Sequence, residues 1–250
     1  MVSVSCNFKE PFDSVKMLKR RGFLLERQGE DIILSDNAHV DDIEFLSEIV
    51  NNTYIGYLDG NRLIITDDKP EKIWPLFAPI SPGSVGVGSC IVTHSWNKMK
   101  TRFCANKIPV RWLEANIAYY IKALSACGIY TGGCCDGNHP GRKELYIEFD
   151  GPAYKELHKC IWEVLLVDRF SINWNKSFTA VDLQKERQDQ YDQLFFAADY
   201  IYQNRQWLRD ARMESAAWIT KSIRKRMSQE EITERFMREI KANLAKYSYC

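Results

Sequence analysis

One stretch of this 250-residue chain, residues 132–141, concentrates side chains that could do chemistry on a backbone that glycine frees to bend. Cys134 and His139 have four residues between them, a spacing found in zinc knuckles, and Cys135 and Asp136 are further possible ligands. Thiolate and imidazole suit Zn²⁺, which takes four tetrahedral ligands. The pattern therefore predicts a zinc site at Cys134, Cys135 and His139, completed from elsewhere in the chain.

The same stretch could instead supply a nucleophile. A cysteine attacks as the thiolate, so its pKa must be lowered by a nearby base or positive charge, and His139 could act as that base. The backbone of Gly132 and Gly133 could turn N–H groups toward a developing oxyanion. This alternative predicts a metal-assisted or cysteine-dependent hydrolase or transferase acting on a nucleotide-like substrate. Its catalytic residues would be Cys134, Cys135, Asp136 and His139. A third interpretation, in which both cysteines pack beneath a glycine-rich surface loop, stays open.

A second candidate is the basic C-terminal segment. From Gln203 onward the chain has 11 Lys and Arg against 6 Asp and Glu, whereas the net charge of the whole chain is +1. Cationic side chains on one helix face can neutralise nucleic-acid phosphates, and interleaved aromatic residues can stack on bases. The predicted contacts to nucleic acid or another partner are Arg205, Arg209, Arg212, Lys221, Arg224, Lys225 and Arg226.

The apolar residues of this segment allow a different interpretation. Leu194, Ala197, Ile201 and Leu208 recur at helical spacing, so they predict a face that packs against another helix or against the body of the protein. The C-terminal helices could then form a homo-oligomer seam, with a solvated basic face.

The elements that must position these residues follow from the distribution of glycine and proline. All 13 Gly and all 8 Pro lie at or before Pro152, which predicts an all-helical C-terminal arm. Earlier, a unit of helix, strand, turn and strand recurs. Its copies are expected with helices at 13–21, 40–50, 109–127 and 153–166 and with strands at 23–27, 31–35, 54–58, 62–66, 129–131, 144–149, 170–174 and 177–181.

These units predict an α+β fold, with antiparallel sheets that carry helices on one face. We expect an N-terminal subdomain over 1–68, a Pro/Gly-rich linker over 69–107 with a strand at 90–96, a second subdomain over 108–182, and a basic helical arm over 183–250. Helices at 183–227 and from Glu230 are predicted in the arm, and Ser228 with Glu231 forms a capping box that starts the second. Whether the units arose by duplication is open.

Composition limits the class of protein. With 45% hydrophobic residues the chain can bury a core, and it has neither a run of roughly 20 apolar residues nor a recognisable signal peptide. We therefore expect a soluble cytoplasmic protein with reduced cysteines and no membrane contact. The leading functional hypothesis is a binding or regulatory protein that engages nucleic acid or a nucleic-acid-associated protein, with a zinc-stabilised loop.

Overall fold

The computed structural model describes residues 12–36, 38–73, 75, 109–138, 144–149, 152–166, 169–172, 174, 180–182, 187–210, 221, 225–228, 230–231, 234–235 and 238. Within these residues the chain forms several helices and two antiparallel sheets, so the α+β class is confirmed. No helix in this part of the chain is both long enough and apolar enough to cross a membrane.

The first sheet begins with a helix and a hairpin. Helix α1 (Ser14–Arg21) starts where Asp13 accepts a hydrogen bond from the Lys16 N–H, and it ends at Gly22. Gly22 has a φ of 116°, which a residue with a Cβ rarely adopts. Strands β1 (Leu25–Gln28) and β2 (Asp31–Leu34) then pair antiparallel across the predicted turn.

A second helix and hairpin complete this sheet. Helix α2 (Val40–Thr53) precedes strands β3 (Gly56–Asp59) and β4 (Arg62–Ile65), which turn at Gly60 with a φ of 62°. The strand order is β1-β2-β4-β3, so β1 and β3 form the edges of the sheet as described. Apolar residues of α1, α2 and the strands share one core. The predicted strands are thus confirmed to within two residues, because Asp-Gly and Gly turns fix a hairpin locally.

Helix α3 (Ala115–Ala126) lies at the centre of the molecule. A 3₁₀ turn at Val110–Trp112 precedes it, and eleven of its twelve residues are buried. It packs against α1, against the first strand of the second sheet and against helix α5 (Arg187–Gln203). A helix that is buried on every side belongs to the interior, which explains its lack of a polar face.

The second sheet has strands β5 (Thr131–Cys135), β6 (Glu144–Phe149) and β7 (Ala180–Asp182), in that order. Helix α4 (Pro152–Ile161) packs on β6 and continues as a π-helical turn at Trp162–Leu166. Residues of α3, α4, α5 and β6 form the larger of the two cores.

Two sequence predictions for the second sheet are wrong. Residues 132–135 belong to β5 and not to a loop, because they pair with β6 through a register shift between Thr131 and Gly133. A glycine suits the irregular backbone of such a bulge. The strand expected at 170–174 is also absent from residues 170–172 and 174, because β7 pairs with β6 and not within a fourth hairpin.

The C-terminal region is described in part. Helix α5 ends at Gln203, Asn204 forms a turn, and residues 205–210 are again helical. The capping box is confirmed: Glu231 N–H donates to Ser228 Oγ at 3.2 Å, and Ser228 N–H donates to Glu231 Oε2 at 2.8 Å. The domain boundaries, the duplication and the extended arm stay predictions, and the strand expected at 90–96 lies outside the described residues.

Candidate functional site

The two cysteines of β5 lie on opposite faces of their strand. Successive side chains of a strand alternate in direction. Cys134 is half-buried against the larger core, whereas Cys135 is fully buried and approaches Glu114 and Asp136. The predicted zinc ligands Cys134 and Cys135 therefore diverge, and His139 lies outside the described residues.

A different set of possible ligand atoms does converge. One ligand atom each of Glu114, Cys135 and Asp136 lie within 4.8 Å of one another, and all three residues are buried. Glu114 is the N-cap residue of α3, and its Oε2 accepts a hydrogen bond from the Asp136 N–H. Sequence reasoning missed Glu114, because it precedes Cys135 by 21 positions and belongs to no motif.

The Asp136 carboxylate is held by hydrogen bonds within the protein. Asn116 Nδ2 donates to Asp136 Oδ2 at 3.0 Å, and the Asn138 N–H donates to Oδ1 at 2.9 Å. Tyr191 donates its hydroxyl to the Asp136 carbonyl at 2.5 Å. Two donors thus hold the carboxylate and a third holds the backbone of Asp136, as a structural role requires.

The environment of Cys135 opposes thiolate formation. Burial raises the pKa of the Cys135 thiol to about 12, and the neighbouring Glu114 and Asp136 carboxylates act in the same direction. A cysteine nucleophile needs a lowered pKa. The arrangement therefore does not favour the thiol-dependent chemistry that the sequence suggested for Cys135.

Charged residues surround this set, and together they form what we call the buried junction, where α1, α2, α3 and β5 meet. Lys122 of α3 pairs with Asp42 of α2 at 2.9 Å, and both side chains are fully buried. Asp42 also accepts from the Val110 N–H at 2.7 Å. The buried junction consists of Arg20, Arg21, Asp42, Glu114, Asn116, Lys122, Cys135 and Asp136.

The two arginines at the end of α1 complete the buried junction. Arg20 Nη1 donates to Asp192 of α5 at 2.6 Å, and Arg20 Nη2 donates to Asn116 at 3.5 Å. Arg21 Nη1 donates to the carbonyls of Val110 and Leu113, each at 3.2 Å. Burial lowers the pKa of Arg21 to about 10, although Asp42 and Asp136 oppose that shift. The Arg20 guanidinium thus links α1 to α3 and α5, and the Arg21 guanidinium links α1 to the segment that precedes α3.

The predicted basic contacts separate into two groups. Arg205 bonds to Glu26 at 3.1 Å and to the Tyr202 carbonyl at 3.0 Å, and Arg209 bonds to the Ala126 carbonyl at 2.8 Å. These two arginines are therefore bonded to the body of the protein, and their contact with nucleic acid or a partner stays a prediction. Lys221, Lys225 and Arg226 are exposed, whereas Arg212 and Arg224 lie outside the described residues.

A cleft of about 380 Å³ lies between α1, the β1–β2 hairpin and α5. No sequence motif pointed to it, because its walls come from residues 13–32 and 195–205. We call this feature the cleft. Its lining residues are Asp13, Val15, Lys16, Lys19, Leu25, Glu26, Arg27, Ile32, Phe195, Phe196, Asp199, Tyr202, Gln203 and Arg205.

Two carboxylates of the cleft are engaged with neighbours. Asp199 accepts from Lys19 and, at 2.7 Å, from the Tyr119 hydroxyl. Glu26 accepts from the Tyr202 hydroxyl at 2.5 Å. Partial burial raises the pKa of Glu26, but hydrogen bonds from Ser35, Tyr202 and Arg205 outweigh burial, so the net shift is downward. Glu26 is therefore held as an anion beside Arg205, and Asp199 lies beside Lys19.

No protein-family model matches the chain, and comparison with curated proteins and with solved structures finds no match either. The functional evidence is therefore the placement of the side chains.

Proposed function

We propose that the protein is a binding protein that engages nucleic acid through exposed basic residues of its C-terminal segment. One observation carries the proposal: Lys221, Lys225 and Arg226 are exposed, and none has a side-chain partner among the described residues. The Lys225 N–H donates to the Lys221 carbonyl at 3.1 Å, so these two lysines lie one helical turn apart on one face.

Exposed lysines on one helix face suit phosphate binding. Each cation that neutralises a phosphate releases condensed counterions, which makes the affinity depend steeply on salt. Arg205 and Arg209 are unsuitable for a test of this surface, because they also bond within the protein. Reversing the charge of Arg209, for example, would break its hydrogen bond to the Ala126 carbonyl. The test therefore uses the three exposed cations.

The experiment measures fluorescence anisotropy of a labelled 20-nucleotide single strand against protein concentration, from 25 to 200 mM KCl. For three contacted phosphates the slope of log K against log salt should be about −2. The combined variant K221E, K225E and R226E should lower the affinity at 25 mM KCl and bring the slope close to zero. Its far-UV circular dichroism should match the parent, because all three side chains are exposed.

A matched control carries the same change in charge elsewhere. Arg62, Lys69 and Lys72 make only surface ion pairs, with Asp31 and Asp67, so their reversal to Glu should leave the slope unchanged. Equal losses in both triple variants would show a general charge effect and contradict the proposal, as would a lack of binding by the parent at 25 mM KCl.

We propose zinc binding by Glu114, Cys135 and Asp136 as a second candidate function, and its enzymatic form would be a metal-assisted hydrolase. The observation that favours it is the approach of Glu114, Cys135 and Asp136 to within 4.8 Å. The residues have the chemistry of zinc ligands, although catalysis would also need an open position for water. Elemental analysis of protein purified without chelators and supplemented with zinc should then give one zinc per chain.

The two cysteines provide a matched pair for this test. Zinc held by the set that converges should be lost in Cys135→Ser and retained in Cys134→Ser, because Cys134 faces the opposite side of β5. Zinc retained by both variants, or no zinc in the parent protein, would remove this candidate.

A further inference from the structure

The residues that line the cleft include more cations than anions. Lys19 pairs with Asp199, and Arg205 pairs with Glu26. Asp13 is occupied by capping α1. Arg27 is exposed at the edge of the cleft and has no side-chain partner within the described ranges. Lys16 also lines the cleft. With four cations against three anions, the cleft suits an anionic group.

One wall of the cleft is apolar and partly aromatic. Phe196 is half-buried there, near Val15 and Ile32. Its ring centroid lies 5.1 Å from that of Phe195 and 5.9 Å from that of Phe12. These two rings restrict the orientation of the Phe196 ring. A held ring with an accessible side is a surface on which a flat ligand can stack.

The edge strand β1 adds backbone groups to the cleft. The Ser35 N–H donates to the Leu24 carbonyl at 2.8 Å, which makes residues 24 and 35 a hydrogen-bonded pair. Such pairs alternate along an antiparallel ladder, so the N–H and C=O of Arg27 point away from β2. They present a donor and an acceptor at the edge of the sheet, a combination that the edge of a nucleobase can meet.

From these three features we propose that the cleft is a nucleotide site, which takes one unit of a single-stranded nucleic acid. The base stacks on Phe196, the phosphate lies near Arg27 and Lys16, and the Arg27 peptide groups contact the edge of the base. The inference rests on the proposed function in one respect: nucleic-acid binding is the reason for taking a nucleic acid as the source of the nucleotide. The volume of about 380 Å³ lies in the range of small-molecule sites and suits a single nucleotide.

The test is isothermal titration of the full chain with AMP, GMP, CMP and UMP, and in parallel with adenosine and with inorganic phosphate. At least one monophosphate should bind, and adenosine and phosphate alone should each bind about 10-fold more weakly, because each lacks one of the two contacts. Arg27→Gln should weaken monophosphate binding about 10-fold, and Phe196→Leu should weaken it about 5-fold or more.

The controls separate the site from the fold. Arg62→Gln removes an exposed arginine from the same sheet and should leave monophosphate binding unchanged. Phe196→Leu keeps most of the apolar volume, and Arg27 is exposed, so at least the arginine variant remains folded and informative. Equal weakening by R27Q and R62Q would overturn the proposal.

The outcomes also separate this inference from the proposed function. Monophosphate binding that persists in the variant K221E, K225E and R226E supports the cleft as an independent site, even if the 20-nucleotide strand shows no salt dependence. Salt-dependent binding of the strand with no binding of any monophosphate at 5 mM overturns the cleft and leaves the proposed function standing. Binding of a blocked hexaglutamate peptide, without monophosphate binding, would also overturn it in favour of strand addition at β1.

Discussion

The buried junction and the cleft are built from the same kinds of charged residue, and they differ in their access to water. Lys122 and Asp42 at the junction have no exposed side-chain surface, whereas Lys19 and Asp199 at the cleft are 17% and 22% exposed. A charge without water depends entirely on its partner, so removing the partner is costly. A charge that keeps part of its hydration depends on its partner far less.

This difference separates residues that hold the fold from residues that can bind. Glu114, Cys135 and Asp136 have reactive side chains, but the protein turns them inward and supplies Asp136 with donors. The cleft keeps an uncommitted cation, Arg27, at the surface. In this molecule the reactive residue types lie in the interior, and an accessible cation lies at the cleft.

The largest expected effect comes from the buried pair. Lys122→Met keeps the aliphatic stem and removes the charge, which leaves Asp42 buried without its cation. The free energy of unfolding should fall by about 3–5 kcal/mol, measured by urea denaturation at pH 7. A loss below about 1 kcal/mol would show that water reaches this pair and would break the contrast with the cleft.

A buried histidine makes the stability of the interior depend on pH. His158 is fully buried, shares a 2.8 Å hydrogen bond with the Tyr120 hydroxyl, and is flanked by Phe149 and Trp174. Burial lowers the pKa of His158 from 6.5 to about 3. Between these values the unfolded chain binds a proton that the folded chain does not, so stability falls as the pH falls.

The expected size of this effect is about 1.4 kcal/mol per pH unit below 6.5, or about 2 kcal/mol at pH 5. Urea denaturation at pH 7, 6 and 5 should show the decline, and His158→Gln should remove that part of it. Identical pH dependence in the parent and in H158Q would mean that His158 is protonated within the folded protein.

A smaller effect is expected at the Asp136 carboxylate. Asp136→Asn keeps the size of the side chain but places an amide donor opposite the Asn116 donor. Unfolding should become easier by about 1.5 kcal/mol, the lower end for a hydrogen bond to a charged group. Asp59→Asn, at an exposed position on β3, is the control and should change stability by less than about 0.5 kcal/mol.

The smallest effect should come from the cleft. Lys19→Met makes the same chemical change as Lys122→Met, and its partner is again an aspartate. Its cost should stay below about 1 kcal/mol, because both groups retain some contact with water. If the two lysine variants lose equal stability, access to water does not distinguish the two regions.

The local parts of the fold were predictable from the sequence. Gly22, Gly60 and the Ser228 capping box each act within a few residues, so a short window contains the whole cause. The path of β5 was not predictable in this way. Glycine is depleted in strands, so Gly132 and Gly133 argue against a strand; in the structure Gly133 pairs with Glu148 of β6, and Gly132 lies at the register shift.

The sites were less predictable than the fold, because their residues are distant in sequence. Cys135 was identified from its type, yet its neighbour Glu114 had no signal of its own. The cleft is lined by both Arg27 and Phe196, which are 169 positions apart in the chain. Arg205 and Arg209 had the spacing of a binding face, and their hydrogen bonds to the body appear only after α5 packs on α3.

The arginine at the end of α1 sets the order in which this molecule can be completed during synthesis. Arg20 finds its anion, Asp192, 172 residues later in the chain. At a synthesis rate of about 5–20 residues per second, on the order of 10–30 s pass before that partner is made. Until then helix α1 carries the Arg20 guanidinium without the aspartate that it pairs with in the folded protein. The N-terminal hairpins can form early, but the larger core closes only when α5 leaves the ribosome, which makes the last step of folding a long-range one.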